Sequence, residues 1–226
     1  MYRMFAASVL AVCLAADGAQ AAFVTYTGGS AAEVNWQAAA GTTVLETFDS
    51  YAGGTQIQTL TNLGVGFDPI YQGNQYPGIY IHPVANTPSQ PHQLSNMPDG
   101  TPQGAFQNLD IELYVLSGYT ITALSFWNGD PNGAMVATVY DALNNVIGSV
   151  SAATNPDAAF GPSTLTFAGF VSDTPFARIH FEGATGDGWN HIDDIQTNVA
   201  VPEPAGLLGL GIALLAASSR KRRRRR

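Results

Sequence analysis

Between Phe23 and Thr197 no apolar pattern repeats at helical spacing over a useful length; short alternating or β-branched runs lie between glycine, proline and Asn/Asp turn signals. Such punctuation restricts the chain to short strands joined by turns. Strands are expected at 43–48, 64–67, 78–81, 109–115, 120–127, 134–140, 146–150, 164–170, 177–181 and 191–196. Gly53-Gly54, Asp99-Gly100, Gly129-Asp130-Pro131-Asn132-Gly133 and Asn155-Pro156-Asp157 separate several of them. Arg178-Ile179-His180-Phe181-Glu182 alternates cleanly, with Ile179 and Phe181 on one face. Residues 139–148 read as a hairpin whose Asn144-Asn145 pair tolerates left-handed φ. About ten strands and a single weak helical stretch, 31–40, predict an all-β, two-sheet antiparallel sandwich. Residues 87–104, with four prolines and almost no apolar side chains, are expected to form a long surface loop or crossover.

Charge is sharply segregated. Of nine Lys and Arg, seven lie in 220–226 and one is Arg3; between Phe23 and Ala200 only Arg178 is basic, against fifteen Asp and Glu, or 1 − 15 = −14. A body so acidic repels nucleic acid and anionic headgroups, so neither is an expected partner. The single cysteine, Cys13, lies in the apolar N-terminal stretch, and Val12 before it is too large for a lipidation site. Without residues 1–21 the chain has no thiol, which excludes disulfides and thiolate metal sites.

The two ends read as targeting segments. Arg3, the apolar run 4–16 and Ala19-Gln20-Ala21 form a secretory signal in order, predicting cleavage after Ala21 and a new N-terminus at Ala22. At the other end, Val201-Pro202-Glu203-Pro204 precedes an uncharged apolar stretch, 205–219. Arg220-Lys221-Arg222-Arg223-Arg224-Arg225-Arg226 follows at once. Basic residues directly after an apolar stretch stop transfer and stay cytoplasmic. Fifteen residues span about 22 Å as a helix, short of the ~30 Å hydrocarbon core. Snorkelling arginines and an extra turn would close the difference.

Together, Pro202-Glu203-Pro204, the apolar segment and the terminal arginine cluster resemble the PEP-CTERM sorting domain of exosortase substrates. The resemblance covers 201–226. It implies a Gram-negative host, export by the general secretion route and recognition by an integral-membrane cysteine protease. Cleavage near Pro202–Pro204 would follow, with delivery to a cell surface that in many such hosts carries extracellular polysaccharide. An ordinary single-pass anchor is the alternative.

Within the body, Leu45-Glu46-Thr47-Phe48-Asp49 and His191-Ile192-Asp193-Asp194-Ile195 resemble the opening and closing strands of jelly-roll carbohydrate-binding modules. The resemblance implies a jelly-roll sandwich in preference to an immunoglobulin-type one.

Asp187-Gly188-Trp189-Asn190-His191-Ile192-Asp193-Asp194 holds the densest set of oxygen ligands. Calcium needs six to eight oxygens, which a glycine-bearing turn can gather. Asp187, Asn190, Asp193 and Asp194 are therefore candidate ligands, and the jelly-roll resemblance would add Asp49 or Glu46. The pattern matches neither the EF-hand nor the nonapeptide repeat; a solvated strand end is the alternative. Asp193 and Asp194, adjacent on a strand, point to opposite faces and cannot form a glycosidase pair by themselves. A pairing with Glu46, Glu112 or Glu182 is left open. His82, His92, His180 and His191 lack metal-ligand spacing, and there is no G-x-S-x-G, phosphate loop or reactive cysteine. Trp189, Tyr71 and Tyr76, in Gly/Pro-rich stretches, are candidate sugar-stacking platforms; Trp127, closing an apolar strand, is expected in the core.

The expected organisation is a signal helix at 1–21, an acidic sandwich at 22–197 and a linker with the Pro-Glu-Pro motif at 198–204. A transmembrane helix at 205–219 and a basic cytoplasmic tail at 220–226 follow. The expected protein is exported, first an inner-membrane precursor and then at the surface or outside the cell. Signal peptidase and exosortase are its processing partners. It is expected to be non-enzymatic and associated with exopolysaccharide, with a calcium- or carbohydrate-binding module or a secreted carbohydrate-active enzyme as alternatives.

Overall fold

A computed structural model describes residues 22–71, 74–75, 79–83, 92–95, 109–129, 134–153, 166–183 and 191–199. Its elements begin with β1 (Phe23–Gly28), α1 (Ser30–Ala40), β2 (Val44–Glu46), β3 (Gln56–Ile57), β4 (Thr59–Leu60), β5 (Val65–Tyr71) and β6 (Asn74–Gln75). Next come β7 (Ile79–Pro83), β8 (His92–Ser95), β9 (Leu109–Val115), β10 (Ala123–Asn128) and β11 (Met135–Tyr140). The last four are β12 (Val146–Ala152), β13 (Thr166–Ser172), β14 (Arg178–Gly183) and β15 (His191–Thr197). Both end segments, 1–21 and 200–226, lie outside the described residues, and with them the expected signal and C-terminal helices.

The strands form two antiparallel sheets. The first runs β1-β13-β10-β15-β8-β7-β3, with β2 also on β15; the second runs β12-β11-β14-β9-β5-β4, with β6 on β5. Strands β8, β9, β10 and β11 alternate between the sheets. The β11–β12 hairpin stays in the second, and β13, β14 and β15 alternate again. Four-strand orders β8-β15-β10-β13 and β9-β14-β11-β12 facing each other are the connectivity of a jelly roll. The expected sandwich is therefore the observed fold.

Alternation supplies the core. Val139, Ile179, Phe181, Ile111 and Leu113 of the second sheet meet Leu124, Phe126, Phe170, Ile192 and Ile195 of the first, all fully buried. Phe126 and Phe181 meet edge to face across the sandwich, with centroids 5.1 Å apart. One departure from strict alternation is informative. Ile192 and Ile195 are three apart, yet both enter this core. The register explains it: Ser125 opposes Gln196 and Trp127 opposes Asp193, so Asp194 and Ile195 together face Phe126 alone. That is a β-bulge, and Asp194 takes the left-handed φ of 47° that it requires. Aspartate tolerates this conformation better than most residues.

Helix α1 lies on the outer side of the first sheet. Its alanine-rich sequence has high helix propensity, and Trp36 anchors it, fully buried against Ala123, Trp127 and Phe167. The Trp36 indole N–H donates to the Phe170 carbonyl at 2.9 Å. Gly169 makes the approach possible: a Cβ there would stand 2.8 Å from both the Trp36 ring and the Ser125 side chain.

The β11–β12 hairpin forms as expected, with Asn144 at φ 65°. Asp141 organises the turn by accepting from the backbone N–H groups of Leu143 and Asn145, each at 2.8 Å. Those bonds, with the Asn145 side chain, hold the Asp141 carboxyl below its ordinary pKa. The stretch 87–104 departs from expectation. His92–Ser95 is a strand, β8, pairing with β7 and β15, and Leu94 is fully buried.

Candidate functional site

Two polar surfaces stand out, one on each sheet. On the first sheet, Ala123 and Trp127 face α1, so Ser125 and the residues paired with this row share that outer side. Asp193 opposes Trp127, and Ser95 opposes His191. Gln93, Ser95, Ser125, His191 and Asp193 are all nearly or fully buried, which is uncommon for polar residues on the outer side of a sandwich; Asn128, opposite Ile192, is buried on the core side. Gln93 Nε2 meets His191 Nδ1, and the Gly129 N–H donates to the His191 carbonyl at 2.9 Å. The Ser125 hydroxyl and the Trp127 indole N–H are buried without a hydrogen-bond partner among the described residues. Toward α1 the polar row continues through Gln196, which bonds Gln37 at 3.1 Å and Glu33 at 2.6 Å.

The second sheet shows an open polar face. Its register lines up two rows across β5, β9, β14 and β11: Asp68, Glu112, His180 and Thr138, beside Gly66, Tyr114, Arg178 and Tyr140. Arg178 pairs with Glu112 at 2.9 Å, lies 3.8 Å from the Tyr140 ring centroid and donates to the Asn144 side chain. His180 Nε2 lies 3.2 Å from Asp110 Oδ2. That hydrogen bond raises the His180 pKa above its ordinary value against the opposing effect of burial, with help from the charges of Asp110, Glu112 and Glu182. The sole basic residue of the body is thus engaged by a carboxylate and a ring.

The expected ligand residues are partly gathered. Strands β2 and β8 both pair with the same edge of β15, β2 at 195–197 and β8 at 191–192. The segments that resemble opening and closing jelly-roll strands, β2 and β15, are therefore neighbours, and the chain leaving β2 meets the start of β8. There the His92 N–H points to Asp49 Oδ1 at 3.4 Å. Asp193 is fully buried in β15, and Asp194 occupies the bulge. Glu46 is occupied locally: its carboxylate accepts from the Phe48 N–H at 3.1 Å and the Asn62 side chain at 3.2 Å. The first bond supports Phe48, a bulky residue held at φ 64° with its ring fully buried. Asp187, Trp189, Asn190 and Tyr76 lie outside the described residues, as do 202–204 and 220–226; Tyr71 ends β5, its side chain likewise outside. Among the described residues no three His, Asp or Glu side chains converge as a metal set. No described helix is long and apolar enough to cross a membrane.

Sequence reasoning placed His191 and Asp193 in a polar cluster but missed Gln93, Ser95 and Ser125. A polar residue on a strand reads as solvent-facing, and only the burial of this outer side reveals them. Trp36 and Trp127 are packing residues beneath and within α1's contact with the sheet.

No family model matches the chain, and no curated protein matches it. Among solved structures, it is similar to the K1 cleaved adhesin domain of Lys-gingipain from Porphyromonas gingivalis W83. Identity is 14%, the match covers 70% of this chain and 98% of that one, and the TM-score is 0.40. It is also similar to the enzymatically active domain of bacteriophage CBA120 tailspike protein 4. There identity is 13% over 67% of this chain, with a TM-score of 0.36, and the match spans 21% of the tailspike chain.

Proposed function

We propose that the chain is an exported bacterial surface protein: a non-enzymatic jelly-roll domain carried to the envelope by a cleavable leader and a C-terminal sorting signal of the PEP-CTERM type. The observation that carries the reading is the fixed order of Pro202-Glu203-Pro204, an uncharged apolar segment and a terminal run of basic residues. The reading is consistent with the described strands, which run from Phe23 to Thr197. In this reading signal peptidase removes 1–21. The segment 205–219 holds the precursor in the inner membrane with the arginines inside, and exosortase cuts near the Pro-Glu-Pro triplet. The delivered domain is strongly acidic and resides among extracellular polysaccharide, where the open face of the second sheet offers Tyr114, Tyr140 and half-buried carboxylates to a polar polymer.

The test is the intact mass of the protein recovered from its native host, in membrane, surface and medium fractions, for the natural chain and for variants lacking 202–204 or 220–226. The natural chain is expected outside the inner membrane, ending near Pro202–Pro204, and both variants are expected to stay in the inner membrane. Recovery of the natural chain in the inner membrane with Arg226 retained, or normal release of both variants, overturns the reading.

A further inference from the structure

We infer that the new N-terminus created by leader removal is captured by Asp173, so that maturation itself latches the edge strand β1 onto the first sheet; this rests on the export reading above. The geometry is in place before any cleavage. The backbone nitrogen of Ala22 donates to Asp173 Oδ2 at 2.9 Å, and the Asp173 N–H donates to the Ala22 carbonyl at 3.1 Å. Phe23 opposes Ser172 in the β1–β13 ladder, so Ala22 and Asp173 are the next pair in the same register. The residue that the leader's Ala19-Gln20-Ala21 site exposes is thus the one whose nitrogen already rests against a carboxylate.

Hydrolysis changes the character of that contact. Water adds across the Ala21–Ala22 peptide bond: the Ala21 carbonyl carbon takes the hydroxyl and leaves as a carboxylate. The Ala22 nitrogen takes a proton and, as an amine with an ordinary pKa of about 7.7–8.0, a second one at neutral pH. A neutral N–H donor becomes an ammonium, and a charge-assisted hydrogen bond is roughly twice as strong as a neutral one. The only Lys or Arg between residues 22 and 200 is Arg178, already paired with Glu112. The α-ammonium is therefore a scarce positive charge in an acidic body, and it arises beside a carboxylate.

The latch acts on an element that has use for it. β1 is an edge strand, bonded on one side only, to β13. Its Phe23 stacks on Phe170 at 5.1 Å and lies over Gly148 of β12, so a secured Ala22 also secures this lid across the rim of the core. In the precursor the same position is a neutral amide continuing into the leader, and the edge is held less firmly.

The chain's composition supplies the assay. Its only lysine is Lys221, so the α-amine is the sole amine of residues 22–200. The full chain, with its leader, is expressed in a Gram-negative host, and the processed protein is purified and sequenced from its N-terminus. The rate of α-amine acetylation is then followed against pH, with modified Ala22 quantified by peptide mass spectrometry, for the natural protein and Asp173→Asn. The expected sequence is Ala-Phe-Val. The expected acetylation midpoint lies higher in the natural protein than in Asp173→Asn by about 0.2–0.7 pH unit, the size set by an exposed ion pair. Because the folded-state amine is raised, the latch is present below about pH 7.7 and lost as pH rises through the folded value. The natural protein should therefore melt about 1–3 °C above Asp173→Asn at pH 6.5, with the difference shrinking as pH rises through about 8–9. A start other than Ala22 overturns the cleavage reading. A start at Ala22 with equal acetylation midpoints in both proteins overturns the latch alone.

Discussion

His180 and Asp110 form a half-buried pair on the open face of the second sheet, and that pair makes stability depend on pH in a definite direction. The His180 pKa is raised, first by its hydrogen bond to Asp110, so the imidazolium stabilises the fold fully below the unfolded value of about 6.5. The contribution disappears as pH rises through the higher folded value. The natural protein should lose about 1–3 °C of melting temperature relative to His180→Gln between pH 5.5 and pH 8.5, measured by calorimetry. The reverse trend would mean that burial, which lowers the pKa, outweighs the hydrogen bond. The partner groups were not legible in the sequence. Alternation placed His180 on a polar face, but only strand order puts β9 beside β14 and so Asp110 within reach. Asp194 shows the complementary limit: strict alternation sends residues three apart to opposite faces, and one positive φ restores Ile192 and Ile195 to the same core.

Among the elements, α1 depends most on one close approach. Its single buried residue, Trp36, rests on the bare backbone of Gly169. Gly169→Ala should lower stability by about 1–3 kcal/mol, the range for overpacking, read as a lower urea midpoint with an unchanged slope. An unchanged midpoint would show that α1 can slide on the sheet at no cost. Strands with β-branched alternation were read from the sequence nearly to their ends: 109–115 is β9, and the expected 134–140 contains β11, Met135–Tyr140. Those missed share a physical cause. β8, His-Gln-Leu-Ser, has one apolar residue and lies among prolines, so its strand character comes from its neighbours β7 and β15. β1 directly follows the small residues Ala21 and Ala22, and β3, β4 and β6 have two residues each, too few for any period to show. The weak helical reading of 31–40 was sound because alanine favours a helix and Trp36 gives that helix something to hold.

Over the whole molecule, topology joins what sequence separates. β2 and β15, about 150 residues apart along the chain, are hydrogen-bonded neighbours, and the two polar surfaces are products of strand order. The two-sheet sandwich was legible because turn signals and about ten short strands leave few other arrangements for an all-β body, while the jelly-roll form was implied only by the resemblance of 45–49 and 191–195. The buried polar cluster of Gln93, Ser95, Ser125 and His191 was not legible, since its concealment belongs to the assembled sheet. Arg178, described above as an ion-pair and stacking residue, has a further consequence for resistance to proteolysis. Proteases of the trypsin type cut only after arginine or lysine, and between residues 22 and 200 the Arg178–Ile179 bond is the one they can use. It opens β14, a strand hydrogen-bonded on both sides, to β11 and β9. A cutting enzyme needs that strand pulled out of the sheet, which amounts to unfolding the sandwich. The folded domain should survive trypsin intact, and once denatured it should fall into two pieces meeting at Arg178, as intact-mass analysis would read. To a protease of this kind residues 22–200 thus offer a single keyhole, and the fold itself keeps it shut.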